Sequence, residues 1–245
     1  MTASIRIGML TPSSNTVLEP VTFGMLHGVP EATAHFSRFK VTEIALSQQA
    51  LRQFDDRAIL GAAELLAHAK VNVIAWNGTS ASWLGFDTDE RLCERITAVT
   101  GIAACTSVLA FREIFRRKGS RRIGLVTPYS DPVQAKIIAT WGASGLTCST
   151  ERHLGLEDNF SFAEVYEDTI AALVREVAHE GCDAVAIVCT NMRGASIAPA
   201  LEAELAIPVY DSIATTLWKS LQVAGVAPSR VHGWGSLFTD EALRA

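Results

Sequence analysis

Apolar residues follow two rhythms along this chain. Short runs rich in β-branched residues alternate with longer stretches in which apolar positions recur three and four apart, as expected of parallel strands separated by covering helices. The short runs predict strands over Ile5–Leu10, Phe39–Ile44, Val71–Trp76, Ile102–Ala104, Arg122–Val126, Leu146–Arg152, Ala184–Val188 and Pro208–Tyr210. The longer period predicts helices over Asp55–His68, Asp89–Val99, Ser107–Lys118, Pro132–Trp141, Ser161–His179, Ser196–Glu204 and Ser212–Val223. Several of these open on Asp or Ser, whose side chains cap the free amides of a first turn.

The two halves of this pattern repeat each other. Ile7-Gly8-Met9-Leu10-Thr11-Pro12-Ser13-Ser14-Asn15 returns as Ile123-Gly124-Leu125-Val126-Thr127-Pro128-Tyr129-Ser130-Asp131, 116 positions later. Val73-Ile74-Ala75-Trp76-Asn77-Gly78-Thr79 aligns with Ala184-Val185-Ala186-Ile187-Val188-Cys189-Thr190 at an offset of 111, and Ile102–Ser107 with Ile207–Ser212 at 105. Three matches in one order argue for a duplicated chain. The expected fold is α/β with two pseudo-symmetric lobes, residues 1–119 and 120–245, each a four-stranded mainly parallel sheet flanked by helices. Whether the C-terminal segment crosses back is left open by the pattern. Ligands of open parallel sheets bind beyond the carboxyl ends of the strands. The loops Thr11–Thr16, Asn77–Ser82, Tyr129–Asp131 and Cys189–Gly194 should therefore line one active-site cleft between the lobes, with Gly78 opposite Cys189.

Composition narrows the possible partners. A chain of 245 residues, 49% hydrophobic, can bury a core without disulfides or metals. Its net charge of -5 and the shortness of its basic clusters, Arg116-Arg117-Lys118 and Arg121-Arg122, argue against nucleic acid or an anionic membrane as partner. Those clusters read as helix-end charges. No apolar run nears the roughly 20 residues that cross a bilayer. The start, Met1 to Arg6, shows no leader pattern, and five cysteines without a Cys-x-x-Cys fit free thiols, so a cytoplasmic location is expected. The six histidines are scattered, no metal site is expected, and neither G-x-G-x-x-G nor G-x-S-x-G occurs. A homodimer or higher homo-oligomer is the default assembly.

Candidate chemistry sits in the repeated loops. Cys189 follows an apolar run and precedes a predicted helix, where amides and the helix dipole lower a thiol's pKa; it reads either as a proton donor or as a small buried hydrophobe. Asn77-Gly78-Thr79-Ser80 reads as a nest of donors for a carboxylate or oxyanion, or as an ordinary helix cap. Ser13, Ser14 and Asn15 offer similar groups, and the Tyr129 hydroxyl is a further donor. Asn191 and Arg193 suit a second carboxylate, or in Arg193 a solvated helix start. Trp76, Trp83, Leu84 and Phe86 flank the Gly78 loop as pocket wall or as core.

Pro12-Ser13-Ser14-Asn15-Thr16, Thr79-Ser80, Thr127-Pro128-Tyr129 and Cys189-Thr190-Asn191-Met192-Arg193, in that order, give the chain a resemblance to the aspartate/glutamate racemase superfamily, in the branch of maleate cis-trans isomerase and arylmalonate decarboxylase. The resemblance implies an enzyme without cofactors that binds a small carboxylate between its lobes. Racemases and isomerases of this kind use one cysteine from each lobe, whereas here Gly78 takes the first position, as in the decarboxylase. It implies that Thr79, Ser80 and Tyr129 hold an enediolate and that Cys189 protonates it. Ser13, Asn15, Gly78, Asn159, Thr190, Asn191 and Arg193 are the implied substrate-binding set. The decarboxylase has a glycine-rich turn after its cysteine; Thr190-Asn191-Met192-Arg193 is more similar to the isomerase, as is Asn159 within Glu157-Asp158-Asn159-Phe160. A decarboxylase-like enzyme with a single cysteine leads, with an isomerase or racemase and a non-catalytic carboxylate-binding protein as alternatives. A flavin phosphate loop at Thr11–Thr16 is a further alternative.

Overall fold

Eight strands assemble into two separate sheets in the computed structural model, which describes residues 4–54 and 56–244. β1 (Ile5–Pro12), β2 (Ala32–Phe39), β3 (Val73–Trp76) and β4 (Ala104–Thr106) form the first, in the order β2-β1-β3-β4. β5 (Arg122–Tyr129), β6 (Thr147–Leu156), β7 (Ala184–Ile187) and β8 (Val209–Asp211) repeat that order as β6-β5-β7-β8. Every strand pairing within these two sheets is parallel. The helices are α1 (Leu18–Leu26), α2 (Gln48–Leu51), α3 (Asp56–His68), α4 (Ala81–Leu84), α5 (Phe86–Thr100), α6 (Ser107–Lys118), α7 (Asp131–Ala143), α8 (Glu167–His179), α9 (Ala198–Leu205) and α10 (Ser212–Val223). None of the described helices is long and apolar enough to cross a membrane.

Inner and edge strands differ for a physical reason. β3 and β7 are buried at every position, because helices cover both faces of a parallel sheet, and such strands read as unbroken apolar runs. The edge strand β2, Ala-Thr-Ala-His-Phe-Ser-Arg-Phe, leaves Thr33 and Arg38 exposed, which dilutes its apolar signal. The strand expected over Phe39–Ile44 is thus displaced to Ala32–Phe39. The residues after Phe39 instead cross to the other lobe: the Asn159 amide donates to Thr42 O at 2.9 Å and the Ile44 amide to Glu157 O at 2.8 Å.

Other departures have equally local causes. Helix α1 is absent from the expected set because Pro20 and Gly24 lower its intrinsic propensity. Its cap is the Asn15 side chain, which accepts from the Val17 and Leu18 amides at 3.0 and 2.9 Å. The single helix expected over Ser161–His179 is broken at extended Val165 (φ -68, ψ 122) into a 3-10 turn, Ser161–Glu164, and α8. The expected helix start at Asp55 lies outside the described residues, as do Met1 to Ala3 of the expected leaderless start. The basic cluster Arg116-Arg117-Lys118 does close a helix, α6, with Gly119 in the left-handed region at φ 66.

The lobes share a core. α10 follows the last strand of the second sheet and packs on β3, β4 and α6 of the first. Ser107 and Ser212, matching residues of the repeat, open α6 and α10; Ser107 Oγ donates to Ser212 O at 3.3 Å and Ser212 Oγ to Ile187 O at 2.9 Å. Both serines are fully buried.

Two carboxyls are sealed into this core. Burial pushes both Asp89 and Asp211 up to about 7, and one oxygen of each lacks a hydrogen-bond partner among the described residues. An unfolded Asp ionises near 3.8 while folded Asp89 keeps its proton to about 7, so its contribution to stability falls as pH rises through that window. Asp89→Asn should therefore match the wild type near pH 4 and gain on it by about 1.4 kcal/mol per pH unit until about pH 7, as read by denaturant unfolding across that range.

Candidate active site

Four inner strands end at one cavity between the lobes. Pro12 closes β1, Gly78, Thr79 and Ser80 follow β3, Tyr129 closes β5, and Cys189 and Thr190 follow β7; all line it. Val41 and Ile44 of the crossing segment, with Phe54, Trp76, Trp83 and Asn159, complete the wall. Space open to the centre of a water molecule amounts to about 20 Å³, little more than a single water requires. The site is therefore tight, with apolar side chains and converging polar groups sharing its lining.

The polar groups meet across the lobes. Thr79 Oγ1 and the Tyr129 hydroxyl are hydrogen-bonded at 2.6 Å. The Tyr129 ring stands edge-on to Trp83 and Phe162, with centroids 5.4 and 5.5 Å away. Burial raises the phenol well above its ordinary pKa, so it remains a neutral hydrogen-bonding group. The same hydroxyl lies against the Cys189 thiol, and the Asn191 amide donates to Cys189 Sγ at 3.3 Å.

Cys189 corrects the expectation of a lowered pKa. The chain after it forms irregular turns, and α9 begins only at Ala198, so no helix N-terminus abuts the sulfur. The residue is 2% exposed. Burial pushes its thiol up to about 12 against the pull of the Asn191 amide and the Tyr129 hydroxyl, and the nearby Asp211 adds to the rise. A buried thiol without a cationic partner is an acid that holds its proton.

The remaining expected site residues divide in two. Gly78, Ser80, Asn159 and Thr190 line the cavity with Thr79, Tyr129 and Cys189. Ser13, Asn15, Asn191 and Arg193 lie behind or outside it. Ser13 Oγ accepts from the Val41 amide at 3.2 Å. Asn15 Nδ2 donates to Thr190 O and Oγ1 at 2.9 and 3.2 Å. Asn191 Oδ1 accepts from the Thr16 amide at 2.9 Å, and its Nδ2 donates to Asn159 O at 2.5 Å. Arg193 is exposed, bonded to Ala163 O at 3.2 Å, in a groove with Glu167 and Asp168. Of the four apolar candidates, Trp76 and Trp83 line the cavity, while Leu84 is 38% exposed and Phe86 packs toward Trp141. Phe54, Val41 and Ile44 went unforeseen; apolar residues amid the polar stretch 40–54 were their only signal. No cluster of three metal-ligating side chains occurs among the described residues.

The sequence profile of the arylmalonate decarboxylase family matches residues 20–238. The chain belongs to this family. Relatives bear out both sides of the branch read from the motifs. A maleate isomerase of Geobacillus stearothermophilus is 26% identical over 233 residues, 91% of this chain and 92% of that protein. An arylmalonate decarboxylase of Bordetella bronchiseptica is 28% identical over 171 residues, 69% and 71% of the two chains. The crystal structure of a maleate isomerase from Pseudomonas putida S16 with maleate has the same fold, with a TM-score of 0.87 at 24% identity over 98% of this chain and 99% of that one. Within the arylmalonate decarboxylase family, these names span a decarboxylase and an isomerase, so the state of the thiol becomes the informative quantity.

That state is directly measurable. At pH 8 a thiol of pKa about 12 is almost entirely protonated, and its thiolate fraction grows tenfold per pH unit. Alkylation of Cys189 by iodoacetamide, followed by mass spectrometry, should therefore be slow at pH 8 and climb without a plateau to pH 10. A plateau near pH 7 to 8 would mean an activated thiolate instead.

Proposed function

We propose that this protein is a cofactor-independent decarboxylase of a small C2-substituted malonate, with Cys189 as its single proton donor. One observation carries the proposal: a buried thiol, Cys189, lines the cavity from one lobe, and the other lobe presents a glycine, Gly78, at the matching position; burial favours the protonated form of that thiol. Addition of a thiolate to an alkene, or removal of an α-proton, needs an ionised sulfur. Donation needs a neutral one.

The steps follow from the residues present. The apolar walls of Val41, Ile44, Phe54 and Trp76 strip water from the departing carboxylate, and carbon dioxide, which is uncharged, leaves more readily from such surroundings. The bond from Cα to that carboxylate breaks, and its electron pair moves into the remaining carboxylate to give an enediolate. Hydroxyls of Thr79, Ser80 and Tyr129 stand where that negative charge collects, preorganised by the 2.6 Å bond between Thr79 and Tyr129. Cα then takes the proton of Cys189 Sγ. The resulting thiolate rests against the Asn191 amide and the Tyr129 hydroxyl until water restores its proton. Because Cys189 reaches the cavity from one lobe, a prochiral malonate should yield one enantiomer.

Cys189→Ala should lower decarboxylation of C2-substituted malonates by roughly 10²–10⁴ while leaving the thermal transition in place. In deuterated water the wild type should release carbon dioxide and place one deuteron at Cα. Full activity in the variant would overturn the assignment, and conversion of maleate to fumarate by the wild type, without gas release, would establish the isomerase reading instead.

A further inference from the structure

The room beside Gly78 is already taken. A Cβ at this position would lie 2.0 Å from Cζ2, 2.4 Å from Cε2 and 2.5 Å from Cη2 of Trp76, closer than side-chain atoms pack. Gly78 does not have the positive φ that would itself call for glycine. The indole is what excludes a side chain there. Nor is that indole loose: Trp76 is wholly buried, pairs in register with Leu10 and Thr106, and packs on Phe39 at a centroid distance of 5.2 Å.

The repeat shows what this replaces. Trp76 matches Ile187, and Gly78 matches Cys189. The second lobe carries a smaller residue at the strand end and a thiol two positions later, while in the first a large ring crowds position 78. The ring also lines the cavity that Cys189 lines from the other lobe. Bulk added to a ligand on this side of the cavity meets that ring.

We propose that Trp76 is the specificity-determining residue of this site. Its indole occupies the volume that a thiol from the first lobe would need, and it limits the substrate's C2 substituent to a small aliphatic group. The volume argument stands by itself; the substrate class rests on the decarboxylase reading above.

Two readouts separate these parts. The first is thermal unfolding of Gly78→Ala and Trp76→Phe, singly and combined, since Phe lacks the outer ring atoms that crowd position 78 yet keeps an aromatic face toward Phe39. Gly78→Ala alone should lower the melting temperature by roughly 5 °C, and the same change in the Trp76→Phe background should cost less than half of that. Equal costs in both backgrounds would overturn the volume argument, whatever the enzyme acts on. The second is kcat/KM for phenylmalonate relative to methylmalonate, which should rise at least tenfold in Trp76→Phe. An unchanged ratio in that variant, and in Trp76→Leu as a second test, would overturn the specificity role. If the wild type turns over neither malonate, the decarboxylase reading and the substrate class fall together, while the unfolding comparison still decides the volume argument.

Discussion

The closed cleft depends on buried amide groups that cross from one lobe to the other. Asn15 Nδ2 donates to Thr190 O and Oγ1, Thr190 Oγ1 donates to Asn77 O at 3.0 Å, and Asn191 joins Thr16 to Asn159. Asn15, Asn77 and Asn191 are at most 1% exposed, and a buried polar group left without a partner costs about 1–3 kcal/mol. Parting the lobes would break several of these bonds together. The closed register is therefore strongly specified, and it sets the immediate neighbour of Cys189 on the immediate neighbour of Gly78.

That closure fixes the chemistry through desolvation. Once the lobes meet, Cys189 and Tyr129 are both shielded from water, and both hold their protons. The result is a site of neutral donors: a phenol, a threonine, a serine and a thiol facing a small apolar space. Such a set suits negative charge that develops beside it, which is what the proposed decarboxylation requires. It is poorly suited to generating a nucleophile, for which a cation or a solvent-exposed amide would have to offset the burial. The nearby buried Asp211 pushes in the same direction, since its charge would further disfavour a thiolate.

Much of this was legible in the chain. The duplication was readable because inner strands covered on both faces must be apolar throughout, and the loops after β1, β3, β5 and β7 were readable as one cleft because parallel strands gather their carboxyl ends. Edge strand β2 was not, since its polar residues face water, nor was the crossing segment Val41 to Ile44, whose alternation imitates a strand while serving as a bridge. At the site, Thr79, Tyr129 and Cys189 were named from position and chemistry. Asn15 and Asn191 show where that reasoning stops: an amide suited to a substrate carboxylate is equally suited to a backbone carbonyl in the opposite lobe, and only the fold decides which it meets. The direction of the thiol shift failed for a related reason. The sequence suggested a helix start beside Cys189, but irregular turns intervene and burial prevails.

The asymmetry of the pair Trp76/Gly78 against Ile187/Cys189 follows from close packing. Matching strand ends offer similar room, and the two residues that project there must divide it between them. A large ring at the first position crowds any side chain two residues later, whereas the second lobe combines a branched aliphatic residue with a side chain bearing sulfur. Glycine at position 78 is thus not independent of its surroundings. It is one half of a packed pair whose other half, Trp76, forms the pocket wall, so the residue at position 78 and the shape of the cavity are set together.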